Sequence, residues 1–213
     1  MIRPAILCLL LAGHAAADPI PAAGRIESEH VPGTCSAVLI APDLVLTAAH
    51  CVGSDVDGIS FRPGTGADTP AIPLAATAIH PLYDADQTRP NWKVRFDIRI
   101  ARLRDAVPAW VAEPLPIGPP AVVGEKLFLV SWRRQDGNLP RQRSCPVLDG
   151  LTGVVTLACS VSGGESGSPL LRATDAGLEL VAIVSSRSHL GNQPVGLATD
   201  VALRLQPLKD ALD

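Results

Sequence analysis

The chain has no Cys-x-x-Cys pair and no His-Glu-x-x-His, although it carries five cysteines and five histidines. Both absences count against zinc, whose protein ligands usually come in such spacings. No internal repeat is visible. Beyond the first residues no apolar stretch reaches the roughly 20 residues needed to cross a bilayer. Strong charge of one sign is missing too. There are 18 Lys and Arg against 21 Asp and Glu, a formal net charge of −3. That balance argues against nucleic acid as a partner. Arg133, Arg134, Arg141 and Arg143 do cluster around Gly137 and Pro140, and they read as a solvated loop. Nothing points to a cofactor, and no residue is assigned to a metal.

What is present starts with Met1-Ile2-Arg3, an apolar run over residues 5–12, and Ala15-Ala16-Ala17. One positive charge, a short apolar core and a small-residue end describe a secretory signal peptide over residues 1–17. Cys8 would leave with it. The mature chain is then secreted or periplasmic, with no integral membrane segment. Four cysteines remain: Cys35, Cys51, Cys145 and Cys159. An even count in an exported chain suggests two disulfides. Of three connectivities, closeness in sequence favours Cys35–Cys51 and Cys145–Cys159.

Short apolar runs cut by Gly, Pro and Asp predict an all-β architecture. Runs at 37–40 and 44–48 flank Ala41-Pro42-Asp43, a turn with Pro presetting φ. Val94, Phe96, Ile98 and Ile100 alternate with polar residues, as on a half-buried strand. Further strands are expected at 71–79, 127–130, 154–158, 178–185 and 195–199. Val201, Leu205, Leu208 and Leu212 have helical spacing, and Pro207 shortens or kinks that helix. Residues 108–120 hold five prolines, so they read as a connector between two halves. The expected division is an N-terminal segment at 18–34, a first unit at 35–112, a Pro-rich linker at 113–120 and a second unit at 121–213.

Two segments carry chemistry. Thr47-Ala48-Ala49-His50-Cys51 sets an imidazole beside a half-cystine, and Gly163-Gly164-Glu165-Ser166-Gly167-Ser168-Pro169 sets a hydroxyl among glycines. Serine is a poor nucleophile until a base takes its proton. A third segment, Phe96-Asp97-Ile98-Arg99-Ile100-Ala101-Arg102-Leu103, holds an aspartate. Asp97 could instead pair with Arg95 or Arg99 at the surface, with Asp84 and Asp86 as the other acids. His30, His80 and His189 read as structural or solvated.

These motifs, in this order, resemble the trypsin-like serine proteases of the chymotrypsin fold in a compact bacterial secreted form. Ile79-His80-Pro81-Leu82-Tyr83-Asp84, Val184-Ser185 and Gly196-Leu197-Ala198-Thr199 extend the likeness from about Cys35 to about Val201. The resemblance implies two packed six-stranded antiparallel β-barrels with a short C-terminal helix, His50 and Asp97 in the first and Ser166 in the second. It implies a serine endopeptidase acting on protein or peptide substrates through an acyl-enzyme. Ser166 would be nucleophile, His50 base and Asp97 its orienting partner, with an oxyanion hole from the N–H groups of Gly164 and Ser166. Ser185 would support Asp97. Ser160 would lie at the base of the substrate pocket, with Arg187 on its border.

The chain departs from the family at three places. Glu165 replaces an aspartate that receives a new N-terminal amine after activation cleavage. Gly24-Arg25-Ile26 resembles a cleavage site, with a propeptide ending at Arg25 as one option, but Glu27-Ser28-Glu29 replaces the expected Val-Gly-Gly. No carboxylate stands near Ser160, which counts against a preference for Lys or Arg. The competing reading is a non-catalytic protease-like binding protein of the cell envelope. Nothing in the sequence sets the oligomeric state.

Overall fold

The computed structural model describes residues 20–30, 35–64, 69–133, 140–151 and 153–213. The expected signal peptide at 1–17 and Arg134 lie outside these residues. Two closed, six-stranded antiparallel barrels are built in chain order. The first holds β1 (Ala23–Ser28), β2 (Cys35–Ala41), β3 (Leu44–Thr47), β4 (Ile59–Pro63), β5 (Ile72–Ile79) and β6 (Arg99–Leu103). Their order around the wall is β1-β2-β3-β6-β5-β4. The second holds β7 (Lys126–Trp132), β8 (Pro140–Leu151), β9 (Val154–Leu157), β10 (Pro169–Thr174), β11 (Gly177–Leu190) and β12 (Gln193–Asp200). Its order is β10-β11-β12-β9-β8-β7.

Alternation along the strands separates the main layers of core, with a small cluster of Val94, Val154, Val195 and Leu197 beside them. Leu39, Val45, Phe61 and Leu103 fill the first barrel. Leu129, Leu157, Leu170 and Val181 fill the second. Val38, Leu46, Ile98, Ile100, Val130, Trp132, Leu171 and Ile183 form one further cluster, drawing on both barrels. Val38 and Leu39 are neighbours on β2, yet one joins the shared seam and the other the barrel interior.

Two expectations change. Residues 18–34 were expected outside the first barrel, but Ala23–Ser28 is a strand of its wall, paired with β2 on one side and β4 on the other. Its apolar residues Ala23 and Ile26 need a buried place, and the wall supplies it. Residues 94–98 are not strand. Pro90–Phe96 forms α1, with proline in its first turn, where a missing N–H costs nothing. Asp97 caps that helix and the strand begins only at Arg99. The expected short C-terminal helix is present as α2, Leu205–Leu212. Pro207 sits in its first turn, so the helix is short rather than kinked.

The Pro-rich segment runs along the protein instead of hanging free. Leu115 N–H donates to Leu39 O (3.0 Å) in the first barrel, and Gly118 N–H to Leu180 O (2.8 Å) in the second. Cys35–Cys51 and Cys145–Cys159 are disulfide-bonded, one pair in each barrel. No helix among the described residues is long and apolar enough to cross a membrane.

Candidate active site

His50 sits on a single 3-10 turn, Ala49–Cys51, directly after β3. The Cys51 bridge to Cys35 ties that turn to the start of β2. Asp97 ends α1. Its Oδ2 accepts the Nδ1–H of His50 at 2.8 Å, and its Oδ1 accepts the backbone N–H of His50 at 3.1 Å. A carboxylate only accepts, so Nδ1 carries a proton, and in the neutral ring the lone pair is then on Nε2. Nε2 has no hydrogen-bond partner among the described residues, and the ring side chain is 38% exposed. That is the form of imidazole able to take a proton from a neighbour.

The second barrel holds Asp97 in place. Ser185 Oγ donates to Asp97 Oδ2 at 2.5 Å. Ser185 lies at a register shift between Val184 and Ser186 in the β11–β12 pairing, and such a bulge re-aims a side chain. Thr199, on β12, donates its hydroxyl to Val94 O (2.5 Å) and lies 3.3 Å from Asp97 O. The arginines beside Asp97 turn elsewhere. Arg99 binds Gly53 O (2.9 Å) and Thr77 Oγ1 (3.2 Å), and Arg95 lies over the Trp92 ring. Asp84 and Asp86 are exposed, joined in a turn through Asp84 Oδ1 and Asp86 N–H. Half-buried Tyr83 has its phenol pushed up to about 12, first by burial and then by the charge of Asp97.

Ser166 stands on the loop before β10, half-buried. The loop is clamped to the first barrel by Ser36, which is fully buried. Ser36 N–H donates to Ser166 O (2.7 Å), and Ser36 Oγ donates to Gly164 O (3.1 Å). Ser36 O accepts from Thr47 Oγ1 (2.8 Å), three residues before His50. Gly167 makes the approach possible. Its φ is +78°, and a Cβ there would lie 2.0 Å from Ser36 O. Gly164 has φ +96°. The N–H groups of Gly164 and Ser166 donate to no described residue, as a hole for an oxyanion requires.

Ser166 and His50 open into adjoining hollows. Val161, Ser162, Gly163, Ser166, Val184 and Arg187 line one of about 430 Å³. His50, Asp97, Lys93 and Val94 line the other, of about 330 Å³. Ser185 and Ser186 border both. Ser160, expected at the pocket base, is exposed and does not line the hollow. Its carbonyl accepts from Arg143 Nη2 (2.9 Å), and Val161 takes the lining position.

Glu165, between Gly164 and Ser166, is fully buried. Its Oε1 accepts from Ser131 Oγ (2.7 Å) and Arg143 Nη1 (2.5 Å), and its Oε2 from Ser162 N–H (2.7 Å). Arg133 Nε adds a charge contact at 3.5 Å. Burial pushes this carboxyl up, but the bonds from Arg143, Ser131 and Ser162 together hold it below the ordinary range. The basic cluster around 137 is therefore not all solvated. Ile26, which the resemblance would bring to Glu165, is buried in β1 opposite Cys35 and Phe61. Ser36 lies in no motif that sequence reasoning singled out; Thr199 and Arg143 were named only as part of a family-like segment and of a basic cluster, and their contacts with α1 and Glu165 were not anticipated.

Cys35, His50 and Cys51 bring possible metal-ligand atoms within 4.8 Å of one another. Both sulfurs are joined in the disulfide, and zinc binds thiolates, not disulfides. A larger hollow of about 560 Å³, lined by Glu29, Asp55, Asp57 and Arg104, contains none of the residues above.

The chain matches the family model described as a trypsin-like peptidase domain over residues 35–183, more than half its length. No curated protein matches it.

Proposed function

The chain belongs to the trypsin-like peptidase family, and from that premise we propose that it is a serine endopeptidase with an acyl-enzyme intermediate. Ser166 Oγ attacks the scissile carbonyl while His50 Nε2 takes its proton. His50 then returns the proton to the leaving amine. Asp97 holds the imidazole in the required tautomer and stabilises the imidazolium. The N–H groups of Gly164 and Ser166 receive the oxyanion, each worth about 10²–10³ in rate. A water activated by His50 then releases the acyl group.

One observation carries this reading. Asp97 is buried and holds Nδ1 of His50, and Ser185 and Ser186 border both the hollow lined by His50 and the hollow lined by Ser166. The two disulfides and the sequence of residues 1–17 support action outside the cytoplasm, secreted or periplasmic.

The test is covalent labelling with a fluorophosphonate, which needs an activated serine. The parent protein should label on Ser166 and cleave unfolded protein substrates. Ser166→Ala should abolish labelling and lower kcat/KM by roughly 10⁴–10⁶-fold. A folded parent protein that neither labels nor cleaves would instead be a protease-like binding protein.

A further inference from the structure

Arg187 lies on β11 at the border of the hollow that holds Ser166. Among the described residues lining that hollow it is the one that is ionisable, the rest being Val161, Ser162, Gly163, Ser166, Val184, Ser185 and Ser186. Its guanidinium has no hydrogen-bond or ion-pair partner among the described residues. Other arginines here are occupied: Arg62 by Glu27, Arg102 by Asp43, Arg143 by Glu165, Arg172 by Glu125 and Glu179. Opposite Arg187 on β12 stands Gly196, which has no side chain to cover it.

The far wall of the hollow is apolar and short of charge. Val161 and Val184 are buried, and a Cβ at Gly196 would already lie 3.0 Å from Val161 Cγ1. A lysine or arginine side chain entering there would find no carboxylate and would face a fixed cation. A carboxylate would find a fork of N–H donors with no competing partner.

We propose that Arg187 selects substrates with an acidic residue, Glu or Asp, on the acyl side of the scissile bond. This rests on the reading of Ser166 as nucleophile. The residue whose carbonyl Ser166 attacks must lie over Ser166, so its side chain has this hollow beside it. Arg187 is exposed, so water weakens the pairing and the preference is modest, about fivefold at most for Glu over Gln.

The experiment is a set of peptides identical except at that residue: Glu, Asp, Gln, Leu and Lys. The measure is kcat/KM, alongside fluorophosphonate labelling of the same preparations. Expected is Glu or Asp above Gln and Leu, with Lys lowest. In Arg187→Gln the Glu-to-Gln ratio should fall to about one, a loss of up to about fivefold, and Arg187→Lys should restore part of it. Raising salt should lower the ratio in the parent protein only. A parent that labels on Ser166 but shows Lys preferred, or the same Glu-to-Gln ratio in Arg187→Gln, overturns the selection by Arg187 and leaves the nucleophile standing. A folded parent that neither labels nor cleaves any peptide overturns both.

Discussion

Asp97 accepts three hydrogen bonds, two from His50 and one from Ser185. Replacing one carboxylate oxygen by an amide NH₂ changes what His50 must present. An amide nitrogen donates where the carboxylate accepted, so the imidazole moves its proton to Nε2 and loses the lone pair that faces the cleft. Asp97→Asn should therefore lower kcat/KM by about 10⁴-fold with little change in fold. Steady-state kinetics with a circular dichroism spectrum checks it. A loss below tenfold would show that His50 does not depend on Asp97.

At the scale of elements, the hairpin of β7 and β8 reaches into the loop of Ser166. Ser131 comes from β7, Arg143 from β8, and both meet the buried Glu165. Removing one partner of a buried pair leaves a charge without compensation, typically costing about 3 kcal/mol or more. Arg133 and the bonds from Ser131 and Ser162 stay on Glu165, so Arg143→Leu should lower the unfolding free energy from urea melts by up to about 3 kcal/mol and slow fluorophosphonate labelling, because Glu165 is flanked by Gly164 and Ser166. Glu165→Gln in the same background should recover part of the stability, since it removes the stranded charge. The β2–β3 hairpin was legible because Pro42-Asp43 and the flanking apolar runs are local signals. His50 and Ser166 were legible because each lies in a dense motif. Arg143 was not, because its partner is 22 positions away and only strand pairing brings it there. Ser36 was missed because its use depends on contact between barrels. The helix at Pro90–Phe96 was misread because its apolar residues continue the alternation of β6.

Two acid-sensitive supports of the molecule are buried, His80 and Glu165. His80 is buried against Phe96, its pKa lowered first by burial and then by the charge of Arg204. A depressed folded pKa means the unfolded chain binds the proton first. Stability is then complete above the ordinary histidine value near ~6.5 and declines as pH falls below it. Glu165 works in the same direction lower down, with full stability above the ordinary glutamate value near ~4.3 and loss below it. Buried Asp200, raised by burial, opposes this. Urea midpoints from pH 8 to 3 should fall in two stages, and a midpoint that rises between pH 7 and 5 would reject the role of His80. The pairing of Ala23–Ser28 on both flanks has a further effect. Proteolytic nicking favours exposed loop tips, and the 25–26 peptide bond is woven into the barrel wall. A cut there would unpick that wall instead of switching anything on. On the proposed reading of Ser166, competence arrives with folding itself, and restraint comes from whatever occupies the cleft.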